Sequence, residues 1–329
     1  RKAIMVPALF LYGTGGLICG FSALFLKKPY PFLLAGRIVQ GAGAGGTYQL
    51  AMALTGDIFQ SKERTKALGL LEASNGLGKV VSPVLGSLIA LISWYAPFFA
   101  YGILAFPIGF GVWFLVREKS QEQAGQSLKE YWQKLKSVLQ EKARLLLSSY
   151  FVGMVALFLL FGVLSYVSDI LEENYHLFGL KKGFVLAVPV FAMAATSYLS
   201  GIFLSSKQNL WKPIIVAGMA GTAVTLGILP LFTNLPLYMT VLFFQGVSIG
   251  ILLPPINSLI TGATSTDRRG MITCLYGTVR FFGVAIGPPA FALALARGKW
   301  FMFLGSAAIA VAAGLAALIL INPAHCSKE

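Results

Sequence analysis

The sequence predicts an all-α polytopic membrane protein. Of its 329 residues, 57% are hydrophobic and only 12% are charged, against roughly 45–50% apolar and about 25% charged in soluble domains. The apolar residues gather in runs of about 20, the length that crosses a bilayer as a helix. An internal repeat holds one constant offset of 205 positions, pairing Gly13 with Gly218, Gly16 with Gly221, Pro31 with Pro236, Gln40-Gly41 with Gln245-Gly246 and Gly45 with Gly250. Alternating amphipathic strands are absent, so a transmembrane barrel is set aside.

The first span is expected from about Ala3 to Phe25, closed by Lys27 and Lys28, with Gly16 and Gly20 at the four-residue spacing that lets helices touch closely. A second follows from Pro31 to about Phe59. The polar turn SKERTK then enters a third span that ends near Trp94, and a fourth runs from about Pro97 to Val116. The third span is the one around which the others are organised. Between Gly69 and Gly86 it reads GLLEASNGLGKVVSPVLG, although glycine costs about 1 kcal/mol and proline about 3 kcal/mol in a helix interior. Close backbone approach and a bend at Pro83 explain why such residues are retained.

Residues 117–144 form the one long hydrophilic stretch. Ser127 with Glu130 reads as a capping box, and Leu128, Tyr131, Trp132, Leu135, Val138 and Leu139 recur at helical spacing between basic residues. Two readings fit: a helix on the membrane surface, or a plain solvated linker. Six more spans are expected at about Leu145–Val167, Gly183–Leu204, Pro213–Thr233, Pro236–Ala263, Met271–Ala296 and Trp300–Ile321. With Arg1 placed inside, one membrane face collects seventeen lysines and arginines and the other six. The linker and the tail are therefore expected to be cytoplasmic. The net charge of +14 is spread over these short loops rather than gathered in one patch, which argues for a bilayer and against nucleic acid. Cys19, Cys274 and Cys326 have no metal-ligand spacing and are read as unpaired.

The repeat continues through Arg64 with Arg269, Leu70 with Leu275, Gly78 with Gly283 and Pro83 with Pro288. One register kept over nearly three helices indicates two homologous halves. The expected division is an N-terminal half at 1–116, a linker at 117–144, a C-terminal half at 145–321 and a tail at 322–329. The second half has six spans and the first four, so two helices are expected to precede Arg1.

Gly69, Gly78, Ser82, Pro83, Gly86 and Ser87 resemble the fifth-helix antiporter motif of the major facilitator superfamily, with Ser82 and Ser87 replacing glycines. Arg37, Gln40, Gly41 and Gly43 resemble the superfamily's fourth-helix pattern, and Arg1-Lys2 resembles the tail of its loop between helices two and three. The resemblance implies a major facilitator fold with ten of twelve spans visible, and a monomeric drug:proton antiporter in a bacterial plasma membrane. Protons and a small molecule would be its partners.

Charges inside spans cost roughly 2.5 to 3.5 kcal/mol each on insertion scales and are functional candidates by default. These are Arg37, Glu72, Lys79 and Arg280, with Asp57 and Asp169 near helix ends. Glu72 and Lys79 lie two turns apart, roughly 10 Å along one helix face, so each needs a partner elsewhere. Glu72 either exchanges a proton for the substrate or joins a gating charge cluster. Arg37, by resemblance, takes part in proton transfer, or else pairs an acid on an earlier helix. Lys79 departs from the family motif and biases against cationic substrates. Arg280, opposite Asn75 in the repeat, either meets an anionic substrate group or pairs between helices. Asp57, with Arg64, is expected to fasten an inner gate. His176 and His325 lie outside the spans, so a membrane histidine relay is set aside.

The resemblance also implies a central cavity lined by Gln40, Gln49, Tyr150, Phe151, Tyr166, Gln245 and Asn257. That aromatic and amide mixture suits a bulky amphipathic molecule. Neither a phosphate-binding Gly-Lys loop nor an HExxH motif occurs, so no cofactor, metal or enzymatic activity is expected. Proton-coupled efflux by alternating access is the expected function. The alternative is a symporter or facilitator importing a metabolite or organic anion.

Overall fold

The computed structural model describes residues 2–59, 61–116, 133, 136–138, 140–205, 207–263 and 266–321. The capping box, most of the linker and the tail with His325 and Cys326 lie outside the described residues. Among those described there is no strand. The helices are α1 (Lys2–Phe25), α2 (Tyr30–Gly45), α3 (Tyr48–Ile58), α4 (Ser61–Ala90), α5 (Ala96–Leu115), α6 (Ala143–Glu173), α7 (Gly179–Leu204), α8 (Trp211–Ile228), α9 (Leu235–Gly262), α10 (Thr266–Leu295) and α11 (Lys299–Leu320).

Eight of the described helical segments are long and apolar enough to span a membrane. The expected span from Pro31 to Phe59 is not one helix. It breaks at Gly46 and Thr47 into α2 and α3, where consecutive glycines weaken the helix and a Cβ on Gly46 would lie 2.5 Å from that of Ala8. Helix α4 is long enough to span, but it carries Lys62, Glu63, Arg64, Lys66, Glu72 and Lys79 among its apolar residues. It runs unbroken through position 83, although the side chain of Pro83 is outside the described residues.

The chain divides into two compact units, Arg1–Leu54 with Leu85–Trp132, and Thr55–Val84 with Gln133–Glu329. The divisions fall inside α3 and α4, so most of α4 groups with the second unit.

In the first unit α1 packs against both α2 and α5. Glycine makes both contacts possible. A Cβ on Gly16 would lie 2.9 Å from Gly102 Cα, and one on Gly15 would lie 2.7 Å from the Gly36 carbonyl. These are backbone-to-backbone approaches of the kind small residues permit in membranes. Gly20, one turn further on, touches the same helix: an added Cβ there would lie 2.9 Å from the Phe99 ring.

In the second unit α6 packs against α10, α7 against α9, and α8 against α9 and α11. Added Cβ atoms on Gly283 and Gly287 would meet the carbonyls of Met154 and Phe158 at 2.5 and 2.8 Å, which seats α10 on α6. Helix α4 joins α7 through two small-residue contacts. A Cβ on Gly69 would be 3.1 Å from Gly201 Cα, and one on Gly76 would be 2.5 Å from Ala194 Cβ.

Candidate functional site

The chemistry of the second unit centres on Glu72, which faces α9 and α10 from α4 and is only 2% exposed. A carboxylate so buried must be paired or lose its charge. Arg280 supplies the pair: its Nη2 donates to Glu72 Oε1 at 2.5 Å and its Nη1 to Oε2 at 3.2 Å. This two-pronged geometry is specific to a guanidinium. Asn257 Nδ2 adds a third donor to Oε2 at 3.0 Å. Three helices thus converge on one carboxylate.

Aromatic rings wall off the guanidinium. Arg280 lies 5.9 Å from the ring of Tyr276, one turn earlier on α10, and Tyr276 stacks on Tyr150 at 5.6 Å. The Tyr150 hydroxyl donates to the Ile272 carbonyl. Gly153 makes room for Tyr276, whose hydroxyl would be 2.6 Å from an added Cβ. Lys79, further along α4, is half-buried as a residue. Its Nζ has almost no accessible surface and no hydrogen-bond partner, and lies 5.8 Å from the Phe161 ring.

A second charge cluster forms where α3 meets α10. Arg269, 5% exposed, donates from Nη1 to Asp57 Oδ1 at 3.0 Å and to the Gly56 carbonyl at 2.5 Å. Its Nε donates to the Thr261 carbonyl at 2.8 Å. Asp57 thus forms an ion pair with Arg269, the repeat counterpart of Arg64, and its charge also acts on Arg64. Arg64 Nε donates to the Phe59 carbonyl.

The remaining candidates are distributed. Arg37 donates to Gln40 Oε1 at 2.9 Å and lies 5.0 Å from the Phe98 ring. Gln49 and Gln245 are buried, at 3% and 1% exposure, and Gln49 Oε1 and Nε2 and Gln245 Nε2 have no hydrogen-bond partner. Phe151 is exposed on α6. Among the small residues of the resembling motif, Gly69 makes a close helix contact and Gly86 faces the Tyr101 hydroxyl, while an added Cβ on Gly78 would meet nothing within 4 Å. Ser82 is half-buried. Sequence reasoning missed the importance of Arg269 and Tyr276. The repeat offset that places Arg269 on Arg64 was the available signal for one of them.

Bilayer-length helices packed through glycines, with buried charge clusters between them, define an integral membrane protein of the transporter class. The Major Facilitator Superfamily model matches residues 1–288 and 183–329. The chain is 33% identical to the bacillibactin exporter of Bacillus subtilis (strain 168), over 100% of its own length and 82% of the relative's. It is 24% identical to the multidrug resistance protein MdtL of Escherichia coli O9:H4 (strain HS), over 98% and 78%. The human organic anion transporter MFSD10 has the same fold, with a TM-score of 0.79 at 15% identity, covering 96% of this chain and 77% of the other. The E. coli fucose:proton symporter FucP superposes with a TM-score of 0.68 at 15% identity, covering 98% and 84%. This chain belongs to the Major Facilitator Superfamily, and it is a transporter rather than an enzyme.

Proposed function

We propose that the protein is a proton-coupled exporter of hydrophobic or amphipathic compounds working by alternating access, a multidrug-type antiporter. The observation that carries the reading is the Glu72–Arg280 pair, because Glu72 is the one fully buried acidic residue among those described. Protonating Glu72 would cancel the charge that holds Arg280, so a single proton would change how tightly α4 is tied to α10. Relatives named for bacillibactin export and multidrug resistance support the outward direction. Two pseudo-repeated halves at 1–116 and 145–321, a cytoplasmic linker and tail, a monomeric state and a bacterial plasma membrane complete the proposal.

The test is proton flux in proteoliposomes as lipophilic cations, neutral drugs and organic anions are added, with Glu72→Gln alongside. Proton movement opposite to the compound, lost in Glu72→Gln, is the expected result. A second reading, a symporter or facilitator importing an organic anion, is favoured by the buried Lys79 ammonium. Proton and anion moving in the same direction would select it.

A further inference from the structure

The Glu72 cluster leaves a cation unbalanced. The carboxylate is taken by the Arg280 fork and Asn257, whereas Lys79 Nζ, although within the field of both charges, is buried without a hydrogen-bond acceptor and lies beside the Phe161 ring. Asn75 precedes Lys79 by four residues and so shares its helix face. Its Nδ2 is also buried without a hydrogen-bond partner. Two donors on one face of α4 have therefore lost water without gaining a protein acceptor. Burying a polar donor in this way is costly unless an acceptor arrives, and a charged donor most of all.

Open space lies next to this face. Gly78 is exposed beside Lys79, and a Cβ there would meet nothing within 4 Å. We propose that Lys79 and Asn75 anchor the anionic head of the transported compound, a carboxylate or phenolate, so that the substrates are small organic anions with an apolar body. The body would pack on Phe161, and the head would accept from Lys79 Nζ and Asn75 Nδ2. Glu72 and Arg280 cancel each other and leave the net attraction to Lys79. The inference rests on the transporter reading but not on the direction of transport.

The experiment measures binding of 2-naphthoate and its neutral isostere 2-naphthamide to the full chain in nanodiscs of neutral phosphatidylcholine, where no anionic lipid competes. Wild type should bind the carboxylate about tenfold or more tightly than the amide, the scale of one charge-assisted hydrogen bond. Lys79→Met should erase that preference by weakening naphthoate about tenfold more than naphthamide, and Lys79→Arg should keep part of it. A melting temperature of Lys79→Met at or above wild type would show that the fold is intact. Equal affinity for the two compounds in wild type, a preference that survives Lys79→Met, or no saturable naphthoate binding would each overturn the proposal. Inward flux, or flux without protons, would defeat the export reading and leave the binding preference standing.

Discussion

Arg280 grips both carboxylate oxygens of Glu72 across 208 positions of sequence, with neither side chain more than 2% exposed. Such a pair contributes little net stability compared with apolar residues of the same volume, yet breaking it from one side costs about 3–5 kcal/mol because the other charge is left buried. Glu72→Leu and Arg280→Met should each lower the melting temperature sharply. The double variant should recover most of that loss and still fail to transport. Melting curves and proteoliposome flux on all three would check this; transport by the double variant would show that the pair is structural only.

The glycines of α4 separate into those that touch and those that do not. A Cβ on Gly76 would be 2.5 Å from Ala194 Cβ and 3.0 Å from its Cα, whereas one on Gly78 would meet nothing within 4 Å. Gly76→Ala should therefore loosen α4 from α7 and cost about 1–3 kcal/mol, the usual scale of overpacking. Gly78→Ala should leave stability within roughly 0.5 kcal/mol of wild type. If Gly78 serves a conformational change, Gly78→Leu should stop export while melting stays near the wild-type value. Equal stability losses at positions 76 and 78 would contradict the packing described here.

The helical membrane fold was legible because its signals need no knowledge of packing: run length, the scarcity of charge within the runs and the 205-residue repeat are all read directly from the chain. The partners in the site were less legible. Sequence placed Glu72 and Lys79 on one face and required partners on other helices, but only the tertiary arrangement brings Arg280 and Asn257 to Glu72 and leaves Lys79 without an acceptor. The break at Gly46 escaped for a related reason. No charged residue or proline marks it, and the close approach of Ala8 is a long-range contact. Gly76 lies outside the resembling motif, and its importance comes from Ala194, more than a hundred positions away.

The Arg269 cluster allows the clearest distinction between charge and geometry. Arg269 Nη1 reaches both Asp57 Oδ1 and the Gly56 carbonyl, and its Nε reaches the Thr261 carbonyl 8 positions back. A guanidinium spans these acceptors because its donors are fixed in a plane, whereas a lysine ammonium is a single point. Arg269→Lys keeps the charge opposite Asp57 but leaves at least one buried carbonyl without its donor, at a cost of about 1–3 kcal/mol. Asp57→Asn keeps an acceptor oxygen for Nη1 and removes only the charge. The expected order of melting temperatures is wild type, then Asp57→Asn, then Arg269→Lys, with Arg269→Ala lowest. If Arg269→Lys instead matched wild type while Asp57→Asn fell furthest, charge alone would hold the junction and the carbonyl contacts would be incidental.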